Sequence, residues 1–282
     1  MHTTNYLLAP DGWTHEAPNP FTSDGAYGPQ WSCFRIREEH DWRGGNRRCE
    51  NGLFAFVVGR GWPRPLAADM ADFIRYESMH GRKCIVSVPG DVDARAFVEK
   101  ALAETPDWSV VRQNDARWLV HSTTAEGWAA IQACGELRAQ VRLCREGLAF
   151  SSLGGEWFDE PADYAEYILL ANAGVMMPEF VVASKNISRV VTEPDTPYTP
   201  GARLFFDGHR LIRDGLIVRD GLHRAKVHDH LPLDPYLIAS VTPADLDPER
   251  NISVWTPKSF CFAALEHFSN VVGEPVPYEH WE

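Results

Sequence analysis

Residues 119–135 read LVHSTTAEGWAAIQACG, an apolar step that runs into a histidine, three hydroxyl residues and a helical pattern. The stretch marks the end of a strand and both ends of a helix. Thr123 and Glu126 stand in the S/T-x-x-E spacing of a capping box, in which hydroxyl and carboxylate each satisfy an orphan backbone N–H. Trp128, Ile131 and Cys134 then recur at helical spacing, and Gly135 supplies a C-terminal stop. A cap explains Thr123 and Glu126. It leaves His121 and Ser122 at the strand end without a structural duty.

Around this junction the chain divides into two parts. Residues 1–50 are rich in Pro, Gly, Trp and Asn with little periodicity, and predict irregular or short-strand structure. GLFAFVVGR (52–60) and KCIVSVPG (83–90) predict strands, with helices over 66–80 and 91–105. WSVVRQ (108–113) and ARWLVH (116–121) predict two more strands. The strand–helix–strand–helix order predicts a small α/β module over residues 1–113, of unassigned role, followed by a second domain over 114–282.

In that second domain GLAFSS (147–152) predicts a strand. EPADYAEYILLANAG (160–174) predicts a helix opened by Pro161 and closed by Gly174, and PEFVVAS (178–184) a strand. Asp-Gly pairs at 207, 214 and 220 are strong hairpin signals and predict an antiparallel meander. SFCFAALEHFSNVV near the C-terminus predicts a helix laid across the sheet.

The net charge of −12 opposes a general coat of nucleic acid, though not a local basic groove. Two arginine clusters stand against it: residues 35–48, and Arg138, Arg142 and Arg145 just beyond the capped helix. No apolar run approaches the ~18 residues of a membrane helix, and the N-terminus has no signal-peptide pattern. The six cysteines are scattered without a C-x-x-C, which fits reduced thiols in a cytoplasmic protein.

Three segments in order resemble the catalytic core of ADP-ribosyltransferases, nearest the tRNA 2′-phosphotransferase and nucleic-acid-modifying toxin branches. HSTTAEGWAAIQACGEL is similar to the family's HxT strand and following helix. GLAFSSLGGEWFDEPADYAEYI is similar to its GiyFS…A..Y element, and LPLDPYLIASV to its IP..YI..V element. The resemblance covers about residues 116–242. It implies an α+β fold with split antiparallel sheets and flanking helices, and NAD-dependent ADP-ribosyl transfer to a macromolecular acceptor, RNA 2′-phosphate or another nucleic acid among them.

By the same resemblance His121, Ser122 and Thr123 bind NAD. Neutral imidazole both donates and accepts, which suits a vicinal diol. Arg138, Arg142 and Arg145 fall where relatives present arginine to phosphate, a task suited to a planar fork of donors. Phe150 and Ser151 fall at the nicotinamide pocket, and Tyr164 or Tyr167 is placed to stack on a ring. Where transferases often carry a glutamate this chain has Lys226, followed by His228, Asp229 and His230. Asp229 is then the candidate displaced acid if a bulge turns it, and Lys226→Glu is expected to leave a folded protein. Phosphotransferase relatives lack that glutamate too, and for them the 2′-phosphate itself attacks NAD. Their N-terminal winged-helix module has no counterpart in residues 1–113.

Two other classes compete. His223, His228, Asp229 and His230 in one run are candidate ligands of a metal-dependent hydrolase; His228 and His230 share a strand face, and His209 or His121 is the candidate third ligand. A non-catalytic binding module that keeps the fold is the third reading, and Lys226 in place of an acid favours it.

Overall fold

The computed structural model describes residues 6–9, 18, 22–26, 31–39, 45–50, 53–59, 71–72, 74–75, 78, 83–87, 94–107, 109–113, 115–148, 165–218, 225–246 and 254–279. Met1–Val110, Phe158–Tyr164 and Ile217–His223 fall in one compact unit, with the two-residue strand β10 (Ile217–Val218) among them; Val111–Trp157, Ala165–Leu216 and Arg224–Glu282 fall in a second.

The first unit carries a sheet of five strands, β1 (Tyr6–Ala9), β2 (Trp31–Glu39), β3 (Gly45–Glu50), β4 (Leu53–Gly59) and β5 (Lys83–Ser87), in the order β1-β5-β2-β4-β3. β1, β5, β2 and β4 run parallel, and β3 closes the edge antiparallel. A helix, α1 (Ala94–Glu104), follows. The Arg75 guanidinium donates to the carbonyls of Leu102 and Pro106, tying the helical residues near 71–78 to the end of α1. This is the expected α/β composition. The first fifty residues hold more strand than their composition predicts, because the nine residues of β2 end in RIREE and show no clean alternation. Residues 109–113 form turns rather than a strand: Asp107 accepts from the Ser109 N–H and hydroxyl, and its carbonyl accepts from the Val110 N–H.

The second unit is built on a mostly antiparallel sheet. Its strands β6 (Trp118–Thr123), β8 (Tyr167–Asn172), β9 (Ala202–Asp207), β11 (Ala225–His228) and β13 (Leu237–Val241) lie in the order β11-β8-β6-β9-β13. Counted along the chain, the order of these five is 4-2-1-3-5. The β11/β8, β8/β6, β6/β9 and β9/β13 pairs are antiparallel. β7 (Glu136–Arg138) and β12 (His230–Pro232) form a separate two-stranded ribbon. The α+β expectation holds at this level.

Two elements exchange type relative to the sequence reading. YILLAN (167–172) is the strand β8, not part of a helix, and residues 177–187 form helix α4 (Met177–Ile187) where a strand was expected. A six-residue apolar run carries no usable period, and Gly174 follows a strand rather than closing a helix. In α4, Pro178 sits in the first turn, and Glu179, Val182 and Ala183 are buried at helical spacing.

The predicted meander also contains a helix. Asp207 accepts from the Arg210 N–H and caps α5 (Gly208–Arg213), and Gly215 at φ 69° ends that turn. Asp-Gly at 207 and 214 therefore flank a helix, and Asp220 lies outside the described residues.

The C-terminal helix α6 (Pro257–Val272) lies on the sheet as expected, capped by a reciprocal Thr256–Ser259 pair. Phe268 stacks on Phe205 of β9 with centroids 4.0 Å apart and meets Trp118 of β6 edge-on at 5.4 Å. Burial of aromatic rings this size is worth roughly 1.5–3 kcal/mol each. No helix among the described residues is long and apolar enough to cross a membrane.

Candidate functional site

The sheet of the second unit opens at His121. β6 stays in register with β9 over all six residues from Trp118 to Thr123. Its pairing with β8 spans only Leu119↔Asn172 and Val120↔Ala171. Beyond Val120 the two strands part, and the His121 imidazole reaches across with Nδ1 3.3 Å from the Leu169 carbonyl. A carbonyl only accepts, so Nδ1 carries the proton and Nε2 is left as an acceptor. Desolvation pushes the His121 pKa down to about 4; the Leu169 carbonyl opposes that shift and the Lys185 charge adds to it. The ring is therefore neutral at pH 7.

β6 ends at Thr123, two residues past His121, and passes through Thr124 into helix α2 (Ala125–Cys134). The cap is Thr124, not Thr123: its hydroxyl accepts from the Gly127 N–H at 3.1 Å, one residue later than the sequence pattern places it. Gly135 closes α2 at φ 76°, its N–H on the Ile131 carbonyl, as expected. Gly201 fixes the junction from outside. A Cβ there would overlap the backbone of Thr123–Ala125, so only glycine admits this approach.

Ser122 turns the other way, into a cluster that sequence reasoning missed. Its hydroxyl donates to Glu179 Oε1 at 2.5 Å, the Arg203 guanidinium meets the same oxygen at 2.8 Å, and the Tyr198 hydroxyl donates to Oε2 at 2.6 Å. Arg203 also donates to the carbonyls of Ala173 and Val175, at 2.9 and 2.7 Å. Its side chain is fully buried and that of Glu179 is 1% exposed. Burial raises the Tyr198 pKa, and the Glu179 charge adds to the shift, so the phenol stays protonated.

The three arginines gather around carboxylates rather than standing apart. Helix α3 (Gln140–Arg145) carries Arg142 and Arg145, and β7 carries Arg138. Arg138 pairs with Glu136 and Glu146, Arg142 with Glu136, Glu146 and Asp229, and Arg145 with Asp229. Asp229 adopts φ 62°, the left-handed region, between β11 and β12. In place of the bulge expected near the histidines, the chain turns here between two strands that pair with different partners, which aims the Asp229 carboxylate at Arg142, Arg145 and His230. Its backbone is held on both sides, N–H to the Glu166 carbonyl and C=O from the Ala139 N–H. Partial burial raises its pKa, but the His230 hydrogen bond and the two arginine charges outweigh that and hold it below the usual carboxylate value.

Lys226 is fully buried, with Nζ 4.1 Å from the centre of the Tyr167 ring. The registers Val120↔Ala171 and Leu169↔Lys226 put Lys226 on the sheet face that carries Val120. His121, one residue along, points away from that face. This burial argues against the expectation that Lys226→Glu leaves a folded protein. A carboxylate there would be desolvated against the negative face of an aromatic ring.

Among the histidines proposed as metal ligands, His228 Nε2 lies 3.5 Å from Glu166, His230 Nδ1 lies 3.1 Å from Asp229, and His209 meets the Asp115 carbonyl. Among the described residues no group of three or more His, Cys, Asp or Glu side chains is arranged to hold a metal ion. His223, Phe150, Ser151 and Tyr164 lie outside the described residues, as does most of GLAFSS. A scan against protein-family models finds no match to this chain, and searches of curated proteins and of solved structures find none either.

Proposed function

We propose that the second unit is an NAD-dependent ADP-ribosyltransferase-like domain acting on a macromolecular acceptor, with RNA 2′-phosphate or a nucleic acid among the candidate acceptors. The observation that carries the reading is the parting of β6 and β8 at His121. A neutral imidazole with its proton fixed on Nδ1 presents Nε2 as an acceptor, which is what a ribose hydroxyl donor requires. The Thr123–Thr124 junction and the start of α2 lie beside it on the same strand end.

The residues present fit NAD in part. His121 and Thr123 would hold the ribose side. Of the three arginines, Arg145 suits a phosphate best, because its side chain is 65% exposed and its one carboxylate partner is Asp229. When bound, NAD would supply the ADP-ribosyl group and nicotinamide as the leaving group. Lys226 is buried over Tyr167, which favours a second reading in which the domain binds the nucleotide without turnover.

One experiment covers both readings. The purified chain is incubated with labelled NAD and separate pools of protein, DNA, RNA and 2′-phosphorylated RNA, while nicotinamide release is followed. Label transferred to a pool, with His121→Ala abolishing it, supports transfer. Calorimetric binding of NAD without nicotinamide release supports the binding module. Absence of both overturns the proposal.

A further inference from the structure

We propose that Ser122 is a positioning residue: its bond to the buried Glu179 carboxylate fixes where β6 leaves β8 and thereby aims His121 at the opening. The inference rests on the reading of His121 as the site residue, and it changes the part assigned to Ser122 from ligand contact to anchor.

The geometry argues it. One carboxylate collects Ser122 from β6, Arg203 from β9 and Tyr198 from the segment before β9. Through Arg203 it also holds the Ala173 and Val175 carbonyls just past β8. Ser122 on β6, Arg203 on β9 and the chain just past the paired end of β8 are thus tied to a single side chain of α4. Val120 still pairs with β8, and Ser122 is bound to Glu179. His121 lies between these two attachments and pairs with Leu204 of β9, so its backbone has little freedom and its ring direction follows.

A buried ion pair of this kind is seldom the most stable filling for a core, and it recurs where a unique arrangement must be selected over slipped ones. Alternation then sets the outcome. With Val120 and Ser122 directed to the α4 and α6 side, His121 is turned away from it. Loss of the Ser122 anchor would let the end of β6 close toward β8 within its β9 register, and the ring would leave the Leu169 carbonyl.

The test reads His121 itself, so it does not depend on NAD. Nitrogen-15 NMR reports the His121 tautomer and titration in the wild type, Ser122→Ala, the near-isosteric Ser122→Cys, and Tyr198→Phe. Tyr198→Phe removes a bond to the same carboxylate without touching β6, and so serves as the control for general loosening. The expected result is that Ser122→Ala and Ser122→Cys lose the Nδ1–H tautomer preference and titrate at least one pH unit higher, while Tyr198→Phe keeps the wild-type signature at a comparable fall in melting temperature. If Ser122→Ala does not fold, Ser122→Cys decides alone. A folded Ser122 variant with wild-type tautomer and titration overturns the proposal, as does an equal shift in Tyr198→Phe. Wild-type NAD titration, run separately, tests the underlying reading, so the two failures are told apart.

Discussion

His121 should make the stability of the protein depend on pH between about 4 and 6.5. Its folded pKa is about 4, depressed from an ordinary 6.5 by loss of hydration. The neutral ring is therefore favoured in the folded state, and between those values the unfolded chain binds more protons. Stability contributed by this group is present above pH 6.5 and is lost as pH falls through that window. Linkage with these two values gives a loss of about 2 kcal/mol by pH 5 and about 3 kcal/mol by pH 4, relative to pH 7. The ring keeps some solvent contact, so about 2 kcal/mol at pH 4 is the safer expectation. Urea unfolding of the wild type and of His121→Gln at pH 4, 5, 6 and 7 isolates the effect, because the carboxylates titrate alike in both. The wild type should lose about 2 kcal/mol more than the variant between pH 7 and 4. Parallel profiles for the two proteins would refute the assignment of a desolvated, neutral imidazole.

Thr124→Ala should lower stability by about 1 kcal/mol through loss of the α2 cap, whereas Thr123→Ala leaves that cap in place; thermal melts in which Thr123→Ala is the costlier change would return the cap to Thr123. Lys226→Glu should destabilise by about 3 kcal/mol or more, since it buries a carboxylate where a cation now faces Tyr167; a melt within a degree or two of the wild type would mean that Lys226 is not buried in solution.

What was legible in the sequence follows from where local chemistry is decisive. The α2 stop at Gly135, the α6 helix and the strands at 53–59 and 83–87 carry their own signals, so they stand close to where the pattern puts them. The cap stands one residue later because three hydroxyl residues in a row each satisfy the rule, and β6 runs on in register with β9 through Thr123 before the helix begins. The exchange at 167–172 and 177–187 has a different cause. Both runs are short and apolar, and strand or helix is decided by the neighbours: β8 has β6 on one side and β11 on the other, and α4 has Glu179 drawn into the core. That second fact did leave a trace. Glu179 in PEFVVA and Arg203 in GARLFF are lone, opposite charges inside apolar runs, and charges so placed are rarely buried unless paired. Reading the two together would have suggested the pair, though not that Ser122 joins it.

The same distinction between buried and exposed charge separates the two ionic clusters. Arg203 and Glu179 have no water to fall back on, so removing either partner strands a charge in the core at about 3–5 kcal/mol. That cluster can only hold its arrangement. Arg145 and Asp229 are 65% and 30% exposed, and a pair of that kind is worth about 1 kcal/mol or less. An incoming phosphate can therefore take Arg145 from Asp229 at small cost, because water and the remaining Arg142 bond compensate the carboxylate it releases. Arg142, shared among Glu136, Glu146 and Asp229, yields far less readily. Under the proposed function the arginine that would meet an anionic ligand is therefore Arg145, whose present partner is Asp229 at the kink.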